Sequence, residues 1–582
     1  MSARSPQRRR DARPAARRGR TLLAAGAVAA SALAFTLYAR VEWPWFVLGW
    51  IALVPWLAVL DRCPALTHTL AAGVFMSVAF VLGVFGWFVT AIANYTGAPW
   101  PLALLVAVLL TPVLQPQFLT FAVARYLARR RAAGFGLRAL VGACVYVGSE
   151  WALPKLFGDT IGHGLYASAL MRQAADVAGA PGLTFVLIIA NECVLEIVSS
   201  RTRENEIPPC PPFPKGGIAA LCLAALVFAL LVYGEVRLEQ LRGDDTVARP
   251  VTAGIVQADI SNYGRLAADM GTFDAVRMIL DTHFDLSTQA LERARLDLLV
   301  WPETVYPTTF GTPKSADGAA FDREIARFVN EARLPLVFGA YDVDAGREYN
   351  AAVFLEPASN GHLSFETYRK ASLFPLTERV PGWLDLGVTR RWLPWLGTWQ
   401  PGERPGIMSL TLEDGRTLRV VPLICYDAVD PSLAIAAARE GAELILTLSN
   451  DSWFAAGGGP WLHLVVSAFR SLETRRAQVR ATNTGISAVI DPTGALVTTA
   501  GVHERASLVA QVVPRHGAGT LMLMLGDWFG PVAFATGAAL LGWLIVTPRR
   551  GRAPAPDSLP ATERSETHAQ QPGDDGGQSH PG

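Results

Sequence analysis

The chain holds 582 residues, more than one domain accommodates, and 51% of them are hydrophobic with a mean hydropathy of +0.28, which excludes an ordinary soluble protein of this size. The formal net charge of +1 favours neither an acidic nor a basic partner. Eight arginines nevertheless crowd into the first twenty residues, and "TPRRGR" follows the last apolar run; both clusters abut apolar stretches, which favours a membrane over a nucleic acid.

In chain order, a basic tail (1–20) precedes a first apolar run at 21–39, "TLLAAGAVAASALAFTLYA". Alone it resembles a signal peptide, but further spans follow at 44–60, 68–93, 101–126, 138–155, 180–198 and 217–235, so an uncleaved first helix is expected. The expectation is a seven-helix membrane domain over 21–240, and an eighth span at 527–547 within a segment running 525–548. Placing the arginine-rich end in the cytoplasm puts "ARYLARRRAAGFGLR" and "SSRTRENEIPPCPPFPKGG" inside and the block 248–515 outside, with both termini cytoplasmic. The tail 549–582 is rich in Pro, Gly and Ser and reads as disordered. Glu150 and Glu192 fall within predicted spans, costly positions for a carboxylate, and neither receives a role from sequence.

Between 248 and 515 the pattern changes. "VTAGIVQADI", "LDLLVWPE", "LPLVFGAYDV", "YNAAVFLEP", "HLSFETYRK", "RTLRVVPLICYD", "AELILTLSND" and "ISAVIDPTG" read as strands. "DAVRMILDTHFDLSTQALERAR", "AAFDREIARFVNEA", "PSLAIAAAREG" and "WLHLVVSAFRSLETRRAQ" read as helices. The alternation predicts an α/β layered domain, in which chemistry gathers where strands end.

Three predicted strand ends carry ionisable groups: Glu303 closes "LLVWPE", Lys370 closes "ETYRK" and Cys425 stands at the end of the strand in "VVPLICYD". Cys425 is the only cysteine beyond residue 240; with no CxxC or Cys/His cluster nearby, neither a disulfide nor a metal site is expected. A strand-end Glu is usually a turn residue and a buried Cys a small hydrophobe. Together, however, a carboxylate, a cation and a thiol supply a base, an oxyanion partner and a nucleophile.

"WPET", "YRK" and "CYD", with "LSNDSWF", "GPWLH" and "RATNTGISAVIDPTG" in order after them, resemble the nitrilase superfamily. With membrane helices on both sides, the chain is similar to its membrane-bound branch, the bacterial apolipoprotein N-acyltransferases. The resemblance implies an α-β-β-α sandwich inserted between transmembrane helices, seven before and one after. It implies a catalytic triad of Glu303, Lys370 and Cys425, with Glu378 in "LFPLTERVP", Tyr426 and Asp427 in support. Asp427 stands where the family usually has Glu, and Leu266 where it usually has Trp.

What the resemblance implies chemically is two-step, ping-pong acyl transfer: from a membrane phospholipid to Cys425 as a thioester, then to the N-terminal amine of a diacylglyceryl-cysteine apolipoprotein. It implies no cofactor, no metal and no nucleic acid, a monomer, and a place in the bacterial inner membrane with the catalytic block on the periplasmic side. Trp383, Trp395, Trp453 and Trp461, with Gly458 in "SWFAAGGGPWLH", are read as lids that admit lipid, the glycine run serving as hinge. A membrane-tethered amidase or acyl hydrolase shares the triad and stands as the alternative; a non-catalytic lipid-binding scaffold would have no use for it.

Overall fold

The structure, a computed structural model, describes residues 6–204, 216–243, 249–260, 263–359, 362–403, 406–454, 457–515 and 519–547. The tail 549–582, expected to be disordered, and Cys210 lie outside these residues. The first part of the chain forms helices α1 (Pro6–Tyr38), α2 (Val54–Arg62), α3 (Leu66–Val84), α4 (Trp87–Thr96), α5 (Trp100–Leu114), α6 (Gln117–Arg130), α7 (Phe135–Ala152), α8 (Ala175–Glu204) and α9 (Gly217–Gly243).

Two predicted spans are broken. The run 68–93 divides at Phe85–Gly86, where α3 ends and α4 begins. The run 101–126 divides at Gln115, whose position before Pro116 disfavours the helical region (φ −127°, ψ 60°). At the turn Gly97–Pro99 the chain bends by 120° between α4 and α5. Among the described residues six helices are long and apolar enough to cross a membrane, or seven if α4 and α5 count as one span; five or six of them precede the α/β block, in place of the seven expected. Helix α7 has 18 residues but carries Arg138 and Glu150 and does not meet that test of composition.

Two clusters of buried charge here are paired, as a low-dielectric setting favours. Arg125 on α6 reaches Glu192 on α8 at 2.6 Å and Asp61 at the end of α2 at 2.5 Å. Glu150 accepts from Lys155 at 2.8 Å and from Thr160 Oγ1 at 2.6 Å.

The α/β block opens with β1 (Val251–Gln257), α10 (Tyr263–Met270) and α11 (Thr272–Arg293), then β2 (Leu298–Val300), β3 (Tyr306–Thr309), α12 (Ala316–Ala332), β4 (Leu336–Asp344), β5 (Arg347–Ser359) and β6 (His362–Arg369). It continues with α13 (Gly387–Trp392), β7 (Met408–Thr411), β8 (Thr417–Ile424), α14 (Pro431–Arg439), β9 (Leu444–Ser449), α15 (Gly459–Thr474), β10 (Ala477–Thr482), β11 (Ala488–Ile490), β12 (Leu496–Thr499) and β13 (Ala506–Val512). A short helix, α16 (Leu521–Leu525), leads into the last apolar helix, α17 (Phe529–Val546).

One sheet runs β13-β1-β2-β4-β5-β6, with β3 pairing β4; the other runs β12-β11-β10-β9-β8-β7. Val251, Ala253, Val300 and Phe354 of the first face Val420, Leu446 and Val479 of the second in one apolar layer. Helices α11 and α12 cover the outer face of the first sheet, where Leu266 also packs. Helix α14 covers the second. Helix α15 is buried on nearly every side, because the membrane helices cover the face that a soluble sandwich would expose. The architecture is therefore an α-β-β-α sandwich, seated on the membrane helices through its own outer layer. Arg475, fully buried at the end of α15, fastens the two parts: it reaches Asp176 Oδ2 at 2.8 Å and the Gln173 carbonyl at 2.9 Å.

Candidate functional site

The chain just past β2, β6 and β8 converges, bringing together the three residues singled out at predicted strand ends. Lys370 Nζ lies 3.3 Å from Glu303 Oε1 and 2.7 Å from Glu378 Oε1. Cys425 is close enough for both Glu303 and Lys370 to act on its charge. All three are nearly inaccessible to water. Two of the turns are strained: Cys425 has φ +48°, and Thr304, directly after Glu303, has φ +60°. The strand behind Glu303 approaches so closely that a Cβ on Gly339 would fall 2.3 Å from Thr304 N, so glycine is required there.

Glu303 is held from three sides. Asn350 Nδ2 donates to Oε1 at 2.7 Å, Lys370 adds its ammonium, and the Asn450 N–H donates to Oε2 at 2.8 Å. Glu378 receives Lys370 on one oxygen and the Phe374 N–H on the other at 2.7 Å. Burial works against the Lys370 ammonium, but Glu303, Glu378 and then Cys425 hold its pKa well above the ordinary value. Burial, then Glu303, push the Cys425 thiol up, and Lys370 only partly offsets them. The thiol thus rests protonated, and a thiol so placed would become a nucleophile only by giving its proton to a nearby base.

Asp427 does not touch Lys370. It accepts from Tyr368 OH at 2.8 Å, the Ile424 N–H at 3.0 Å, the Ala371 N–H at 3.2 Å and the Ser372 N–H at 2.6 Å. Its carboxylate therefore ties the turn bearing Cys425 to the segment leaving Lys370, and burial raises its pKa to about 6. Tyr426 points the other way and donates from its OH to the Leu156 carbonyl at 2.9 Å, anchoring the thiol-bearing turn to the segment that follows α7.

Behind Cys425 stands a buried group that sequence reasoning did not assign. His463 Nε2 lies 3.3 Å from the Cys425 carbonyl, and its Nδ1 2.9 Å from Asp451 Oδ1; Arg480 reaches Asp451 Oδ2 at 3.1 Å. Asn350 was also missed. The motifs "LSND" and "GPWLH" carry Asp451 and His463 in plain view, whereas Asn350 carries no local signal; only the pairing of β5 with β6 sets it beside Lys370.

The thiol opens onto an apolar cleft. Phe85, Trp87 and Phe157 of the membrane part form one wall, and Phe374, Trp453 and Phe454 of the sandwich the other. Trp453 stacks on Phe454 with centroids 4.0 Å apart and meets Phe374 at 5.2 Å. Trp383 and Trp392 are about four-fifths exposed (78% and 80%) on the long segment after Lys370. Trp395 packs edge-on against Tyr95 of α4, and Trp461 donates to the Arg40 carbonyl at 3.0 Å, so each is fastened to a membrane-side residue. Of the glycine run, Gly457 has φ +129° and a Cβ on Gly459 would fall 2.3 Å from Phe454; only Gly458 has open space around it. Packing and backbone conformation thus account for two of the three glycines.

Residues 26–193 match the apolipoprotein N-acyltransferase N-terminal domain, and residues 252–516 the carbon-nitrogen hydrolase family. The chain belongs to the apolipoprotein N-acyltransferase family. Curated relatives of that name include those of Chlorobaculum tepidum, 26% identical with 77% of this chain and 82% of that protein covered, and of Bdellovibrio bacteriovorus, 27% identical with 77% and 81% covered. The Pseudomonas putida relative is 32% identical over 44% of this chain and 47% of its own. Among solved structures, an amidase from Nesterenkonia sp. AN1 is similar at 20% identity and a TM-score of 0.33, covering 45% of this chain and 90% of that one. The family membership makes this an acyltransferase of nitrilase fold with a membrane-embedded part.

Proposed function

We propose that the protein transfers an acyl chain from a membrane phospholipid, through a Cys425 thioester, to the N-terminal amine of a diacylglyceryl-modified apolipoprotein. The observation that carries this is the cleft: a buried thiol beside Glu303 and Lys370 opens between aromatic walls supplied by both the membrane helices and the sandwich. Such walls suit an acyl chain and exclude water, which favours transfer to an amine over hydrolysis.

In the first half-reaction Glu303 takes the thiol proton as Cys425 Sγ attacks the ester carbonyl. Lys370 offsets the charge that develops on the carbonyl oxygen. The ester C–O bond breaks, and Glu303 returns the proton to the departing lysophospholipid oxygen. In the second, the acceptor nitrogen attacks the thioester, C–N forms, C–S breaks, and the proton released by the amine passes through Glu303 to the Cys425 thiolate. Glu378 shares the Lys370 ammonium throughout and leaves Glu303 free to cycle its proton. On this reading the sandwich faces the outer leaflet of the inner membrane, the enzyme acts as a monomer, and Trp383 and Trp453 flank the lipid's path.

The test is incubation of the purified protein with phospholipid radiolabelled in its acyl chain. Wild type should acquire a hydroxylamine-sensitive label and pass it to a diacylglyceryl lipopeptide; Cys425→Ser should acquire none. Normal N-acylation by the serine variant, or release of the label only as free fatty acid, overturns the assignment.

A further inference from the structure

The segment between α7 and Ile161 carries a carboxylate that the reaction above does not use. Asp159 lines the same cleft as Cys425, and its Oδ1 is shielded from solvent without a hydrogen-bond partner. The segment lies hard against the thiol-bearing turn: Tyr426 donates to the Leu156 carbonyl, and a Cβ on Gly158 would fall 2.0 Å from Val429 Cγ1. Around Asp159 the charges do not balance. Glu150 is satisfied by Lys155, Thr160 and Gln117, and Lys155 turns a second donor to the Asp159 backbone carbonyl, with no hydrogen bond to the Asp159 carboxylate. Two carboxylates thus share one ammonium, leaving one negative charge uncompensated beside a cleft whose walls are otherwise mostly aromatic and aliphatic, with Cys425, Tyr426 and His463 the other polar groups in its lining. Burial, with Glu150 adding to it against the pull of Lys155, raises the Asp159 pKa to about 6, so the group is largely ionised at neutral pH.

We infer that Asp159 is a recognition site for a primary ammonium group at the head of an apolar chain, held in the Cys425 cleft by a charge-assisted hydrogen bond to Oδ1. This rests on the acyl-transfer reading. Two substrates of that reaction could bring the group, the α-amine of the acyl acceptor or an amino headgroup on the donor lipid.

The direct test needs no turnover. Dodecylammonium and the neutral isostere dodecanol are compared for protection of Cys425 from alkylation by iodoacetamide at pH 8 in the full-length protein in detergent. In wild type the ammonium should protect at about tenfold lower concentration or better, and in Asp159→Asn, which keeps shape and loses charge, the two should protect equally. Equal protection in wild type, or an unchanged gap in the variant, overturns the inference; the wild-type comparison stands even if the variant is unstable. The two half-reactions then separate the sources. Slowed aminolysis by lipopeptide, whichever lipid loaded the thiol, assigns the acceptor amine. Slowed thioester formation from phosphatidylethanolamine but not phosphatidylglycerol vesicles assigns the headgroup, and unchanged rates in both steps overturn the site. Failure of wild type to form any thioester would refute the acyl-transfer reading while leaving the protection result to judge Asp159.

Discussion

Lys370 stands nearer to Glu378, at 2.7 Å, than to Glu303, at 3.3 Å. The second glutamate therefore draws the ammonium partly away from the first, and a base is useful only while its proton affinity is not consumed by a cation. Glu378→Gln should let Lys370 close on Glu303 and weaken it as a base. The expected result is thioester formation slowed by about 100-fold, on the scale of losing one electrostatic partner, with unchanged melting temperature. A wild-type acylation rate in this variant would remove Glu378 from the mechanism.

Gly339 and Gly458 make a matched pair of alanine substitutions. A methyl at Gly339 collides with the backbone of Glu303 and Thr304, whereas one at Gly458 meets open space. Gly339→Ala should displace Glu303 and, on the proposed mechanism, slow thioester formation by about 100-fold, as misplacements of an ångström do; Gly458→Ala should leave rate and stability alone. A large effect at Gly458 on the second half-reaction alone would instead mark that residue as a hinge.

Asp427→Ala should fail as a fastening rather than as a lost reactive group. It strands three backbone N–H groups and the Tyr368 hydroxyl, at about 1–3 kcal/mol for each donor that water cannot reach. Both half-reactions should fall together with the melting temperature. Asp427→Glu retains the charge but must fit an extra methylene into a fully buried position, and overpacking costs about 1–3 kcal/mol. Loss of activity at full stability in the alanine variant would point to a direct chemical role.

Acid should act through Asp451. Burial alone would raise its pKa, but His463 and then Arg480 hold it at about 2. A carboxyl whose folded pKa lies below its unfolded value of about 3.9 adds stability that is complete above that value and is lost as pH falls toward the folded one. The contribution is about 2–3 kcal/mol. Denaturant midpoints of wild type and Asp451→Asn should therefore differ at pH 7 and draw together below pH 4. A gap that does not change with pH would mean the aspartate acts by shape alone.

Much of this site was legible along the chain because its groups sit where strands end, and strands announce themselves by short apolar runs. Glu303, Lys370 and Cys425 could be named from "LLVWPE", "YRK" and "LICYD", and the two-part organisation from hydropathy alone. Local signals did not reach further, for physical reasons. Asn350 became part of the site only through the register of β5 on β6. Asp427 fastens four donors that converge from three stretches of chain, the 371–372 turn, Tyr368 and Ile424. The continuous runs at 68–93 and 101–126 read as unbroken spans, because hydropathy is blind to a change of direction; Phe85 and Trp87, on either side of the break at Phe85–Gly86, line the cleft. Asp159 received no role from sequence; its place in the cleft depends on the packing of Gly158 on Val429 of the thiol-bearing turn. Sequence by itself singled out Glu303, Lys370 and Cys425 as candidates and marked the chain as one that enters a membrane, because side-chain type and hydropathy are local properties. Only the tertiary structure decided which carboxylate holds the lysine and what lines the cleft beside Cys425, because both depend on contacts between segments distant in the chain.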